Sequence, residues 1–235
     1  MLGYRLLKPS FDSVTVISWL RIGTKYQIEH LRQNAVQCLE ACIPTNEYLS
    51  FVEAIYKLNN DSPLVIHDVT FFHAIIIINL APQCDVIQFL PGAFYWCASS
   101  LTPAELIAGY EDDDGNQWDL SKQDLSRCLE GQQHLCTALF DRQKTLLKAQ
   151  LASTCERREN CLSEMHEARE KNRRTPIPEF PDPLNRPSWF DYLCPPCKLH
   201  FSGLFEQKAS EIWPQLAHFF ELDVEWPIGG SGSSA

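Results

Sequence analysis

VISWLRIGTKYQIEHLRQNAVQCLEAC, running from Val16 to Cys42, is the stretch whose reading decides the fold. Two apolar patterns meet in it at a turn, Gly23-Thr24-Lys25-Tyr26. Ahead of the turn, Phe11, Val14, Ile17, Leu20 and, more loosely, Ile22 recur every two or three places. Beyond it, Ile28, Leu31, Ala35, Leu39 and Cys42 recur every three or four places, with Glu29, Arg32, Gln33, Gln37 and Glu40 between them. Those spacings predict two amphipathic helices. Gly23 is expected to end the first in a left-handed conformation, which costs a glycine no Cβ clash. The product is an αα-hairpin, a common unit that by itself carries no function.

Working outward, the same patterning persists. Pro44 is expected to end the second helix, and Thr45-Asn46-Glu47 to cap a third, Glu47 to Leu58, with Phe51, Val52, Ile55 and Leu58 inward. Asn59-Asn60-Asp61-Ser62-Pro63 has turn chemistry. A helix is expected from His67 or Asp68 through the apolar run Ala74 to Ile78, stopping or kinking at Pro82. Pro91 suits the first turn of the next helix, and Thr102-Pro103-Ala104-Glu105 has every part of a capped helix start. Ser121 and Asp124 open a long helix carrying Leu125, Cys128, Leu129, Leu135, Leu139, Leu146 and Leu147, which Gly131 is expected to break. From Ala149 to Arg174 acids and bases nearly balance, the mark of a solvated helix laced with ion pairs. Prolines 176, 178, 181, 183 and 187 then predict an extended spacer over the surface. The chain restarts at Trp189, with a helix expected from Pro196 to about Trp213 and a final apolar group ending at Trp226. Gly229 to Ala235 reads as a flexible tail. The expected fold class is therefore all-α, an irregular multi-helix bundle with a small Cys-containing helical module at its C-terminal end.

Leu20, Arg21, Gly23, Thr24, Lys25, Tyr26, Ile28, His30, Leu31, Arg32 and Ala35 together resemble the closing helices of a BTB/POZ domain. The likeness is to basidiomycete-type fungal proteins whose segment reads roughly LRLGTKYxIxHLRxxA. Family-like wording continues at Ala74, Ile75, Asn79, Leu80, Ala81 and Asp85, then at Leu90, Pro91, Ala93, Tyr95 and Cys97, so that the likeness spans about residues 4 to 226. It implies residues 1–43 as the C-terminal remnant of an N-terminally truncated BTB/POZ-like domain. Residues 44–171 would be a helical region, 172–187 a Pro-rich linker, 188–228 a Trp/Cys helical module and 229–235 a tail. It also implies a protein-interaction or adaptor role, with partners in cullin-type ubiquitin ligation or nuclear regulation.

Composition sets limits on function. Of 235 residues, 45% are hydrophobic, enough for a substantial core. Thirty acids against twenty bases give a formal charge of −10, which argues against a nucleic acid as the main partner. No apolar run approaches the roughly 20 residues that cross a bilayer. No secretory signal precedes the first helix, so an intracellular protein, cytoplasmic or nuclear, with reduced thiols is expected.

Under reducing conditions the ten cysteines are core thiols, metal ligands or both. Cys194 and Cys197 have the spacing that lets two thiolates reach one Zn²⁺. Cys155 and Cys161, across the proline segment, are the candidates to complete a Cys₄ set, with His166 and His200 as substitutes. The resemblance adds weight to this, since paired cysteines flank a proline-containing linker in that family. Two other readings stay open: unligated packing thiols, and a redox pair in Cys194-Pro195-Pro196-Cys197. Cys38, Cys42, Cys84, Cys97, Cys128 and Cys136 fall in apolar patterns and read as small core hydrophobes. The acidic run Glu111 to Asp114 lacks a Glu at the twelfth position of a calcium loop, which is Gln123, and reads as an exposed turn or tiny hairpin. No nucleophile elbow, glycine-rich phosphate loop or H-E-x-x-H is present, so an enzyme is not expected. The leading expectation is a non-catalytic adaptor with one structural zinc. The alternative is a thiol-redox or metal-responsive protein built on Cys194 and Cys197.

Overall fold

The computed structural model describes residues 11–59, 66, 69–112, 114–174, 178 and 180–227. The turn expected at 59–63 (apart from Asn59), the inward position expected of Leu58 and the tail at 229–235 lie outside what it describes. Among the described residues the fold is all-α apart from one two-stranded hairpin.

α1 (Ser13–Lys25) and α2 (Glu29–Cys42) form the predicted hairpin. Asp12 caps α1, accepting from the Thr15 N–H at 2.6 Å. The left-handed residue of the turn is Gln27, at φ 56°, not Gly23. Gly23 lies inside α1 facing α2, and a Cβ there would sit 2.6 Å from the Arg32 backbone nitrogen. The glycine lets two helices approach rather than ending one. The buried stripe also differs from expectation: Ser13, Val16, Leu20 and Gly23 are buried, while Val14 and Ile22 are exposed. Steps of three, four and three hold one face of a 3.6-residue helix, whereas repeated threes drift around it.

α3 (Tyr48–Asn59) turns Phe51 and Ile55 inward. α4 (His73–Leu80) starts later than expected. Thr70 lies outside it and directs its backbone N–H to His73 Nδ1 at 3.1 Å. Residues 67 and 68 lie outside the described set. α4 ends two residues before Pro82, as the proline requires. A 3₁₀ turn, Ile87–Phe89, leads into α5 (Leu90–Ser100), whose first turn holds Pro91. Every residue of α5 from Leu90 to Ser99 is buried, so this helix is enclosed by its neighbours on all sides.

α6 (Pro103–Ala108) carries the full capping box between Thr102 and Glu105. β1 (Tyr110–Glu111) and β2 (Gln117–Trp118) form the tiny antiparallel hairpin. Asp112 is consumed in closing it, accepting from the Asn116 N–H at 2.8 Å and the Trp118 indole N–H at 2.9 Å.

α7 (Lys122–Lys148) runs unbroken through Gly131, contrary to expectation. A Cβ at Gly131 would meet the Phe220 ring at 2.0 Å. Here too a glycine marks close packing rather than an end. α8 (Arg158–Arg174) follows, then the proline segment, a 3₁₀ turn at Ser188–Tyr192, and α9 (Pro195–Ile212). A second 3₁₀ turn, Trp213–Gln215, and α10 (Leu216–Phe219) complete the order.

The proline segment is no free spacer. Pro181, Pro183 and Leu184 are buried, and their backbone is claimed by the helices beneath. Arg142 of α7, only 4% exposed, donates Nη1 to the carbonyls of Pro183 and Asn185. The Tyr95 hydroxyl of α5 donates to Asp182 and accepts from the Leu184 N–H at 3.3 Å. Buried residues from Val16 to Trp226 form one core cluster. Phe51 meets Trp226 at 6.0 Å and Trp213 at 6.2 Å, and Phe94 stacks on Phe220 at 5.5 Å. Each such fully buried ring contributes on the order of 2–3 kcal/mol relative to exposure.

Candidate metal centre

Three separate segments converge near the N-terminus of α9. After α7 the chain leaves helix at Ala149 and turns at residues 152–155, where the Cys155 N–H donates to Ala152 O at 3.0 Å. Cys155 is therefore presented from a turn, not from a helix. Cys161 lies in the first turns of α8 and is buried. Cys194 is the N-cap residue of α9, followed by Pro195 and Pro196, which suit a first turn lacking backbone donors. Cys197 follows on that helix, also buried.

The four sulfur atoms of Cys155, Cys161, Cys194 and Cys197 all lie within 4.8 Å of one another. The Cys155 and Cys194 sulfurs are 3.8 Å apart. A tetrahedron with metal–sulfur bonds of about 2.3 Å has edges of about 3.8 Å, so the spacing suits a closed four-sulfur site. Disulfide bonding needs sulfurs about 2.05 Å apart, and all ten cysteines are free. The Cys194 N–H points at the Cys161 sulfur at 3.4 Å, the kind of outer contact that steadies a thiolate ligand.

The thiols are electrostatically unequal. Burial pushes the Cys194 thiol up, but backbone N–H groups of Cys197 and Glu156, with the thiols of Cys161 and Cys197, outweigh it and hold it near about 6. Its place at a helix N-terminus favours the anion in the same sense. Burial, then the Cys155 thiol, push Cys197 up to about 12. Burial likewise raises Cys161. One thiolate forms readily, and further ones crowd it unless a cation shares the site.

All four sequence-predicted ligands are thus brought together. His166 and His200 are exposed and lie outside the cluster. The other cysteines behave as core atoms: Cys38, Cys42, Cys84, Cys97 and Cys128 are buried and Cys136 half-buried. Burial pushes the Cys42 thiol up to about 12 and raises Cys38, Cys97 and Cys136 as well.

Two polar constellations were not foreseen. Arg142, Asp182 and Tyr95 form the buried network under the proline segment. Its sequence signal is an arginine on the stripe Leu135, Leu139, Arg142, Leu146, where an apolar residue belongs. The second is Ser13–His73, with Oγ and Nε2 3.0 Å apart. Thr70 holds the other side of the ring, its backbone N–H donating to His73 Nδ1 at 3.1 Å and its Oγ1 lying 3.0 Å from the same nitrogen, so the imidazole is fixed between α1 and the start of α4.

No protein-family model, curated protein or solved structure matches this chain. Among the described residues no helix is long and apolar enough to cross a membrane.

Proposed function

We propose that this chain is a non-catalytic, protein-binding adaptor of the BTB/POZ type whose C-terminal third is held by one structural zinc ion. The observation that carries the zinc is the four-cysteine cluster. Four sulfurs from three segments, buried except for the half-exposed Cys155, leave no position for a water or substrate on the metal. A closed site of this kind stabilises a fold rather than activating a reactant. The zinc would join the turn after α7, the start of α8 and the start of α9, segments separated by up to 39 residues. Cys155, Cys161, Cys194 and Cys197 would hold it, and the Cys194 N–H would orient the Cys161 sulfur.

The adaptor role is supported by the helical body. The α1–α2 hairpin carries the residues that resemble a BTB/POZ domain. Partners of the cullin-type ligase or nuclear regulatory kind follow from that resemblance alone. Metal analysis of protein purified without chelator tests the zinc: about one ion per chain, lost in Cys194→Ser, supports it, and metal-free folded protein refutes it. A pull-down with the intact chain that recovers no protein partner would count against the adaptor role.

A second reading, thiol redox chemistry, is favoured by the low Cys194 thiol and by the half-exposed Cys155 sulfur 3.8 Å from it. A reversible disulfide in metal-free protein at cellular potentials would select it.

A further inference from the structure

A groove of about 530 Å³, sharing no residue with the four-cysteine cluster, opens between α7, α8 and the proline segment. Among the described residues four large aromatic side chains are exposed, and three of them, Phe140, Phe180 and Tyr192, line this one groove. Half-buried Trp189 lines it too. Aromatic faces are thus gathered where solvent reaches them, although water is a poor neighbour for them.

The charges sort the ligand. Arg142 is already committed to the Pro183 and Asn185 carbonyls and lies over the Phe205 ring at 5.0 Å. Arg186 is paired with Asp191 at 2.9 Å and covers Phe190. Lys171 also has a partner. Asp182 is occupied by Tyr95 and by the backbone of Leu184 and Asn185. Glu164 and Glu167, on one wall of the groove, make no hydrogen bond or ion pair with any described residue. The uncommitted charge is therefore negative, set against exposed aromatic faces. That combination attracts a cation carried on an apolar stem, because ring quadrupoles and carboxylates add. A net charge of −10 favours the approach of such a partner over distance.

We infer that this groove is a docking site for a basic side chain, arginine or lysine, on an exposed segment of a protein partner. The stem lies along Phe140, Phe180 and Trp189, and the head group reaches Glu164 and Glu167. This deepens the adaptor reading by giving the partner's chemistry, and it rests on that reading only for the ligand's being a protein.

N-acetyl-arginine N-methylamide, the lysine counterpart and the uncharged, near-isosteric citrulline counterpart are titrated into the full chain at fixed ionic strength, followed by ¹H–¹⁵N NMR. The expected result is saturable shifts of the Trp189 indole N–H and of backbone amides 164–168 with at least one cationic probe. The citrulline probe should produce none. Glu164→Gln combined with Glu167→Gln weakens binding by about tenfold, and Phe180→Ala weakens it without changing Tm or metal content. Equal binding of citrulline, unchanged binding by the doubly substituted chain, or no saturable shift with either cation overturns the assignment. Loss of the probe site with partner capture intact sinks the groove alone. Probe binding without any recovered partner sinks the adaptor reading instead.

Discussion

Tyr95 and Asp182, 87 residues apart, are joined hydroxyl to carboxylate, and that bond fastens the proline segment to the central helix. Asp182 in turn accepts from the Leu184 N–H at 3.2 Å and the Asn185 N–H at 3.0 Å, folding the segment around itself. Arg142 grips the same few residues from below. Tyr95→Phe leaves ring packing intact but removes one partner of a buried carboxylate, so it is expected to cost about 1–3 kcal/mol in urea denaturation. Arg142→Ala removes a buried cation beside a carboxylate and is expected to cost about 3–5 kcal/mol. Equal stability of Tyr95→Phe and the parent chain would show that the bond does not anchor the segment.

If zinc fills the four-cysteine cluster as proposed, removing it should be the most severe perturbation. A closed Cys₄ zinc site contributes several kcal/mol to folding, so chelation is expected to lower Tm by roughly 10 °C or more. Cys161→Ser and Cys197→Ser should do the same without chelator, whereas Cys136→Ser should leave Tm nearly unchanged. Differential scanning calorimetry with and without chelator reads the effect. A Tm indifferent to chelator in zinc-loaded protein would remove the structural role.

Gly131 faces the Phe220 ring so closely that a methyl group cannot be inserted. Gly131→Ala would favour helix by propensity, yet it is expected to destabilise by about 1–3 kcal/mol through overpacking. In a Phe220→Leu background the penalty should shrink, a coupling measured by a double-mutant cycle. Additive effects would mean the ring moves aside at no cost.

Asp191 accepts from Arg186 at 2.9 Å and from Lys198 at 2.8 Å, and these bonds hold its carboxyl down to about 2. A carboxylate whose folded pKa is depressed adds stability above its unfolded pKa of about 3.9 and loses it as pH falls toward 2. Carbon-detected NMR titration should therefore place its midpoint near 2. Arg186→Gln with Lys198→Gln should return it to the ordinary range. An ordinary midpoint in the parent chain would mean these ion pairs do not persist in solution.

Much of this was legible in the residues. Helix starts with explicit chemistry, Thr102 with Glu105 and Ser121 with Asp124, stand where expected, because a cap is a local interaction and needs no knowledge of the rest of the fold. Of the four metal-ligand candidates, Cys194 and Cys197 were legible from their spacing, while Cys155 and Cys161 were named only as candidates across the proline segment, with weight added by the resemblance. What escaped was tertiary. A glycine at a helix end and a glycine at a helix crossing look alike in one dimension, so Gly23 and Gly131 were both misassigned. The proline segment has the composition of a spacer, and only Arg142, polar on an apolar stripe, hints that something must satisfy it from across the core. The groove was invisible for the same reason: its aromatic residues come from α7 and from a segment 40 residues later, and nothing local relates them.

The aromatic contacts around Phe51 bear on how the molecule assembles during synthesis. Trp213 and Trp226, which cover Phe51, leave the ribosome some 160 to 175 residues after it. Loops of that span close slowly. Until those residues are added, the Phe51 face of α3 lacks its aromatic cover, and an uncovered apolar flank of this kind is prone to aggregate.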